Sequence, residues 1–239
     1  MYRKNKKITL ITDAILLVVF TFVLAVSFFS EKIVPISVYE KEKISAIYRG
    51  NTDKNNVSLM FNVYENTEVV NKIVALLSKN GVKATFFVGG CWADDNANTL
   101  ELIRDSGNEI GNHGYFHKDH AVISYEKNRE EIYNNGVLVE GLCGVKMNLF
   151  APPSGSFSST TLSVADSLGY KVIMWSKDTI DWRDKDVNKV ISRATKNPEN
   201  GDLILMHPKE HTLSALQTII NFYKERGYNI VTVSENIGV

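Results

Sequence analysis

The chain has 239 residues, 44% of them hydrophobic and 23% charged. Those proportions support a buried core and exclude wholesale disorder. Its 27 Lys and Arg balance 27 Asp and Glu, which denies it the basic excess of a general nucleic-acid binder.

The first element is an export signal. Arg3, Lys4, Lys6 and Lys7 precede an apolar stretch from Ile8 to Phe29. As a helix these residues span about 33 Å, enough for a hydrocarbon core of roughly 30 Å. Asp13 interrupts the stretch near its basic end. The basic cluster predicts residues 1–7 in the cytoplasm, a transmembrane signal-anchor over 8–29, and everything later outside the cell membrane. A cleaved signal peptide, with Ala25-Val26-Ser27 as a poor cleavage site, is the other reading. Residues 30–44 are mixed and charged, with Pro35, and read as a stalk. A short strand is expected at Ser45–Tyr48.

From there to residue 239 the pattern alternates. Apolar, β-rich runs at Val57–Phe61, Ala84–Val88, Glu109–Asn112, Met147–Phe150, Lys171–Trp175, Asp202–Met206 and Asn229–Val233 predict strands. Helices are predicted between them at Glu68–Asn80, Asn98–Ser106, Ser124–Leu142, Ser159–Leu168, Lys185–Lys196 and Leu213–Arg226. Gly81, Gly107, Gly144, Gly169 and Gly227 punctuate the helix ends. Strand–helix alternation means an α/β fold with a parallel sheet, either open and doubly wound or curled into a barrel. No GxGxxG or GxxxxGK[ST] loop follows a strand, so nucleotide folds lose their support. Cys91 and Cys143 are too few for a disulfide scaffold and form no CxxC motif, which leaves one bridge at most.

In parallel α/β folds the working groups lie at the C-terminal ends of the strands. Here those ends carry Asn62-Val63-Tyr64-Glu65, His113-Gly114-Tyr115-Phe116-His117, Ala151-Pro152-Pro153-Ser154-Gly155, Asp178 with Asp181-Trp182, and His207-Pro208. The five histidines (113, 117, 120, 207 and 211) all follow one of two strands, a clustering that favours a site over random placement.

Lys83-Ala84-Thr85-Phe86-Phe87-Val88, Glu109-Ile110-Gly111-Asn112-His113 with His117, Asp178-Thr179-Ile180-Asp181-Trp182, and Leu203-Ile204-Leu205-Met206-His207-Pro208 occur in this order. Together they resemble the polysaccharide deacetylase family, the NodB-homology domain of carbohydrate esterase family 4, over residues 45–239. Ser154, the Trp175–Trp182 segment and His207-Pro208 look most like its sporulation-associated, membrane-anchored subgroup. The resemblance implies a distorted (β/α) barrel, a divalent metal (usually zinc) held by an aspartate and two histidines, and hydrolysis of N-acetyl groups on glycans such as peptidoglycan.

Amide hydrolysis needs an activated water, a stabilised oxyanion and an acid for the leaving amine, and a metal serves the first two needs. By the resemblance His113 and His117 are the metal ligands, His207 is the acid, and Asp181 holds that histidine. A nearby carboxylate favours imidazolium, so the pairing makes physical sense. Pro153, Ser154 and Trp182 are expected at the substrate. Trp175 and Trp182 either line a sugar face or pack in the core. His120 and His211 match no family site position and are expected to be exposed loop residues.

The first motif departs from the family's Thr-Phe-Asp-Asp-Gly. Asn62 stands at the general-base aspartate; an amide positions a water but does not take its proton. Val63 stands at the aspartate ligand, and Ala151 at the arginine that orients the base. Loss of base and orienter together is coherent, because a buried arginine without a carboxylate is costly. Two histidines alone fall short of the three protein ligands of a catalytic zinc, with Glu65, Asp119 and Asp178 as unranked substitutes. Loss of a general base costs about 10²–10⁴-fold in rate. The sequence therefore predicts either a weakened deacetylase or an inactive glycan-binding or assembly factor on the same scaffold.

Overall fold

The computed structural model describes residues 2–30 and 44–239. The chain divides into two compact units, 1–43 and 44–239. In the first, α1 (Tyr2–Ser30) contains Leu10–Ser27, a segment long and apolar enough to be a membrane span or a signal sequence. The Thr21 hydroxyl donates to the Leu17 and Val18 carbonyls within the helix, so it adds no unsatisfied group to the apolar stretch. Most of the predicted stalk, residues 31–43, lies outside the described residues.

In the second unit, strands and helices follow one another in chain order. They are β1 (Asn56–Val63), α2 (Thr67–Lys79), β2 (Thr85–Val88), α3 (Gly90–Asp95), α4 (Ala97–Asp105), β3 (Glu109–Asn112), α5 (Tyr125–Cys143) and β4 (Leu149–Phe150). After these come α6 (Ser159–Ser167), β5 (Lys171–Val172), β6 (Lys177–Asp178), α7 (Val187–Thr195), β7 (Leu203–Met206), α8 (Glu210–Glu225), β8 (Asn229–Ile230) and α9 (Val233–Ile237). The alternation of strand and helix is broken only where α4 follows α3 and β6 follows β5. The strands pair in parallel in the order β5-β4-β3-β2-β1-β7-β6, with β8 on the first two residues of β1. This is a curled half-barrel. Ile47 bridges Ile173 just past β5, and Arg49 bridges Asp202 just before β7.

All eight residues of β1 are buried, as expected of a central parallel strand covered on both faces. Its pleat divides them. Leu59, Phe61 and Val63 join the core beneath α2, α4 and α8, whereas Met60 faces the concave interior with Phe87, Leu149, Ile173, Leu203 and Leu205. The α2 helix buries Val69, Val70, Ile73, Val74 and Leu77 at helical spacing.

Several boundaries differ from the sequence pattern. The run Lys171–Trp175 forms only a two-residue strand, and the polar pair of β6, which has no apolar signature, supplies the sheet edge after it. The last strand stops at Ile230 because Thr232 caps α9, its hydroxyl accepting from the Glu235 N–H. Neither α3 nor α9 has a periodic run long enough to announce it. Cys91 and Cys143 are free thiols.

Candidate active site

Parallel pairing brings the C-terminal strand ends to one mouth of the half-barrel. There a cavity of about 700 Å³ is lined by Asn62 near the end of β1, Tyr64 and Glu65 just past it, His113, Phe116 and His117 after β3, and Ser154. Trp175, Asp178, Trp182 and the β7 end, Leu205 with His207, Pro208 and Lys209, complete it. The imidazoles from the two distant turns thus face a common hollow.

His207 is built onto a buried carboxylate. Its Nδ1–H donates to Asp181 Oδ1 at 2.7 Å and its backbone N–H to Oδ2 at 2.7 Å. Thr212 Oγ1 also donates to Oδ2, at 2.6 Å. Asp181 is 1% exposed. Burial pushes its carboxyl up, but the bond and charge of His207, with Thr212 and the backbone N–H, outweigh that and hold it below the usual carboxylate range. The turn carrying Asp181 is strained. Ile180, β-branched, sits at φ 52°, a conformation costing about 1–3 kcal/mol that persists only where the surroundings dictate it. Those surroundings are visible: the Ile180 N–H donates to Asp178 Oδ1 (2.7 Å), Thr179 Oγ1 to the Leu205 carbonyl (2.8 Å), and Arg193 Nη1 to the Thr179 carbonyl (3.0 Å).

His113 Nδ1–H donates to the Ala151 carbonyl at 2.7 Å, which leaves Nε2 as a lone pair. Burial, then the neighbouring His117, pull its pKa down to about 3, so the ring is neutral. His117 meets it edge-on with ring centroids 5.2 Å apart, and burial lowers its pKa too. His117 stands at φ 54° and Ser154 at φ 56°, two more strained positions at this mouth.

The β3–α5 loop that carries both histidines is gripped from below by a polar face of α5. Glu131 Oε2 accepts the Tyr115 and Phe116 N–H groups at 2.9 and 2.7 Å. Asn135 Nδ2 donates to the Val88 and Gly114 carbonyls and to Asn112 Oδ1. Gly114 sits at φ 74°, where a side chain is strained, and a Cβ there would press at 3.2 Å on His120 Nε2 and 3.3 Å on Glu131 Oε2.

The expectation for two histidines is overturned. His120 is fully buried, with Nδ1 donating to Asn128 Oδ1 at 2.7 Å, because the loop folds back under itself onto α5 and α6. His211, on the first turn of α8, is half-buried and donates from Nε2 to the Asp181 carbonyl at 2.8 Å.

The implied zinc needs a third ligand, and the donor set does not supply it. Asn62 is in the wall, but the Val63 side chain packs on the opposite face of β1 in the helix-covered core. Glu65 is exposed and paired with Lys209. Asp119 accepts from Ser156 Oγ (2.5 Å) outside the cavity lining, and Asp178 accepts from Ile180. Among the described residues no three His, Cys, Asp or Glu side chains converge to hold a metal ion. Two imidazoles without a carboxylate do not make the expected centre.

Ser154 and Trp182 line the cavity, whereas Pro153 is buried and backs the Gly114 turn. Trp175 is also in the wall, resting on Gly155, where a Cβ would meet its ring at 2.7 Å. Sequence reasoning missed Tyr64, Phe116 and Lys209 as wall residues. Phe116 and Tyr64 lie inside quoted motifs, so their position relative to the strand ends was the available signal.

Comparison with known proteins fits this architecture. The model of the family described as polysaccharide deacetylase matches residues 49–173. The uncharacterized protein YlxY of Bacillus subtilis is 37% identical over 189 residues, covering 79% of this chain and 59% of its own length. A peptidoglycan-N-acetylglucosamine deacetylase of Bacillus cereus is 30% identical over 197 residues, covering 80% of this chain and 72% of its own. The crystal structure of BA3943 from Bacillus anthracis, a CE4 family pseudoenzyme, superposes with TM-score 0.79 at 35% identity, covering 81% of this chain and 69% of that one. A BA3943 mutant with restored enzymatic activity superposes with the same TM-score at 34% identity, covering 81% and 71%. This chain belongs to the polysaccharide deacetylase family.

Proposed function

We propose that this chain is a membrane-anchored, extracytoplasmic protein that binds N-acetylated glycan of the peptidoglycan type in its cavity without turning it over efficiently. The observation that carries this reading is Asn62. It is 5% exposed, it lines the cavity, and its Oδ1 has no hydrogen-bond partner. A buried acceptor without a partner calls for a donor from a ligand. The hydroxyls and the N-acetyl N–H of an amino sugar supply such donors. The neutral carboxamide has no useful basicity, so the group that would activate a water is missing. Trp182 is 55% exposed beside Trp175 at the wall and offers a stacking face for a sugar ring. The basic cluster before Leu10–Ser27 supports an N-terminus inside and residues 44–239 outside. The peptidoglycan deacetylase relative supports the glycan class.

A second reading is favoured by the preserved His207–Asp181 pair: slow hydrolysis of N-acetyl groups on cell-wall or spore glycans, with His207 as the proton donor to the leaving amine and Asp181 holding its ring in place. No metal step is assigned, because the ligand set is incomplete.

The test is calorimetric titration of N-acetylglucosamine oligomers into the full chain in detergent, with acetate measured in the same samples. Saturable binding, weakened by Trp182→Ala, and acetate at the level of a His207→Ala variant are expected. Acetate release clearly above that variant favours the second reading; no binding removes both.

A further inference from the structure

Beside the first cavity lies a second, of about 360 Å³, and Phe116 lines both. Phe116 is 57% exposed, and His117 beside it stands in the left-handed region at φ 54°. The floor of the second cavity is Glu131, only 6% exposed. One of its oxygens takes the Tyr115 and Phe116 N–H groups. The other takes no hydrogen bond among the described residues and is not sealed from the cavity. Lys118 stands with Nζ 6.0 Å from the Phe116 ring centroid, and Asn134 of α5 is also in the lining.

We propose that this second cavity is a subsite for a further saccharide unit of the glycan that occupies the first; the inference rests on the glycan reading above. The chemistry of the wall selects that occupant. A carboxylate oxygen open to the cavity accepts from a sugar hydroxyl, a charge-assisted bond stronger than a neutral one. The aromatic face of Phe116 suits the apolar face of a pyranose. Lys118 and Asn134 are donors to ring and acetyl oxygens. The lining cations Lys118 and Lys127 are balanced by Glu130 and Glu131, with Lys127 already paired to Glu130 at 2.6 Å, which suits a neutral polyol rather than a strongly charged ligand. Phe116, shared by both cavities, sets the path of the chain from one to the other.

The arrangement predicts that affinity grows with chain length. Titration of the full chain in detergent with N-acetylglucosamine oligomers of increasing length should show the tetramer binding about tenfold tighter than the dimer. Asn134→Trp places a bulky ring in the second cavity from an exposed helix position. It should abolish the length-dependent gain and leave dimer affinity unchanged. Glu131→Gln, which keeps the side chain's shape, should reduce the gain without abolishing dimer binding. Dimer binding with no gain for the tetramer, or a gain that survives Asn134→Trp, overturns this proposal alone. A gain that appears only with a disaccharide bearing a stem peptide, and not with longer unsubstituted oligomers, also overturns it and assigns the cavity to peptide. No binding of any oligomer overturns the glycan reading with it.

Discussion

On the proposed reading, Asn62 and Ala151 are the two residues on which activity turns. Both lie on the concave side, Asn62 in the cavity wall and Ala151 fully buried with Met60, Phe87 and Leu149 around it. An arginine placed there alone is a buried, unpaired charge, so Ala151→Arg should destabilise the fold by about 3–5 kcal/mol. Adding Asn62→Asp should recover part of that loss and raise acetate release above the sum of the single changes, since partners in one ion pair are not additive. Urea denaturation and an acetate assay on the four proteins check both; additive effects would show that the two positions do not meet. Val63 teaches a different lesson. The family motif placed it at a ligand, yet the pleat sends its side chain into the core. Val63→Asp should therefore unfold the protein before it improves metal binding, read as a lowered melting temperature with no gain in bound zinc.

At the scale of elements, the decisive device is the polar face of α5. Its buried set includes Asn128, Glu131 and Asn135 beside Ile132 and Val139. Apolar periodicity locates the helix to within a residue, but it cannot say that the buried face is polar or what it grips. The same blindness hid His120, whose polarity argued for exposure although it is fully buried, with its Nδ1 bonded to Asn128 in the interior. Glu131→Ala would strand the Tyr115 and Phe116 N–H groups, at about 1–3 kcal/mol. The loop carrying His113 and His117 should loosen with it, seen as faster amide exchange at Tyr115 and Phe116. Exchange confined to its wild-type rate would show that another contact holds the loop. The positions of the central strands were legible for the opposite reason. Continuous apolar runs such as Leu203–Met206 mark central parallel strands, whereas the two-residue β6, Lys177–Asp178, exists only because β7 is there to pair with it.

For the whole molecule, the buried imidazoles set the response to acid. In the folded chain His113 titrates near 3, against about 6.5 when unfolded. Between those values the unfolded chain binds a proton that the folded chain refuses. Stability from this group is complete above about 6.5 and falls as pH drops toward 3, by up to about 1.4 kcal/mol per pH unit. His117 and His120, also lowered by burial, add in the same direction. Asp181, lowered against an ordinary carboxylate, withdraws its contribution at still lower pH, as the medium passes through its folded pKa. Urea midpoints of the metal-free protein should therefore decline from pH 7 to pH 4, and His113→Phe should flatten the decline; an unchanged profile would mean that His113 is not buried as described.

Residues 44–239 place a cavity of about 700 Å³ against His207, which Asp181 holds, with the neutral Asn62 in its wall. The measurement closest to that account is calorimetric titration of the N-acetylglucosamine tetramer into the full chain, with acetate followed in the same cell. One saturable site per chain is expected, with acetate no higher than with His207→Ala. Absence of binding heat, or acetate accumulating in proportion to the bound sugar, would contradict it.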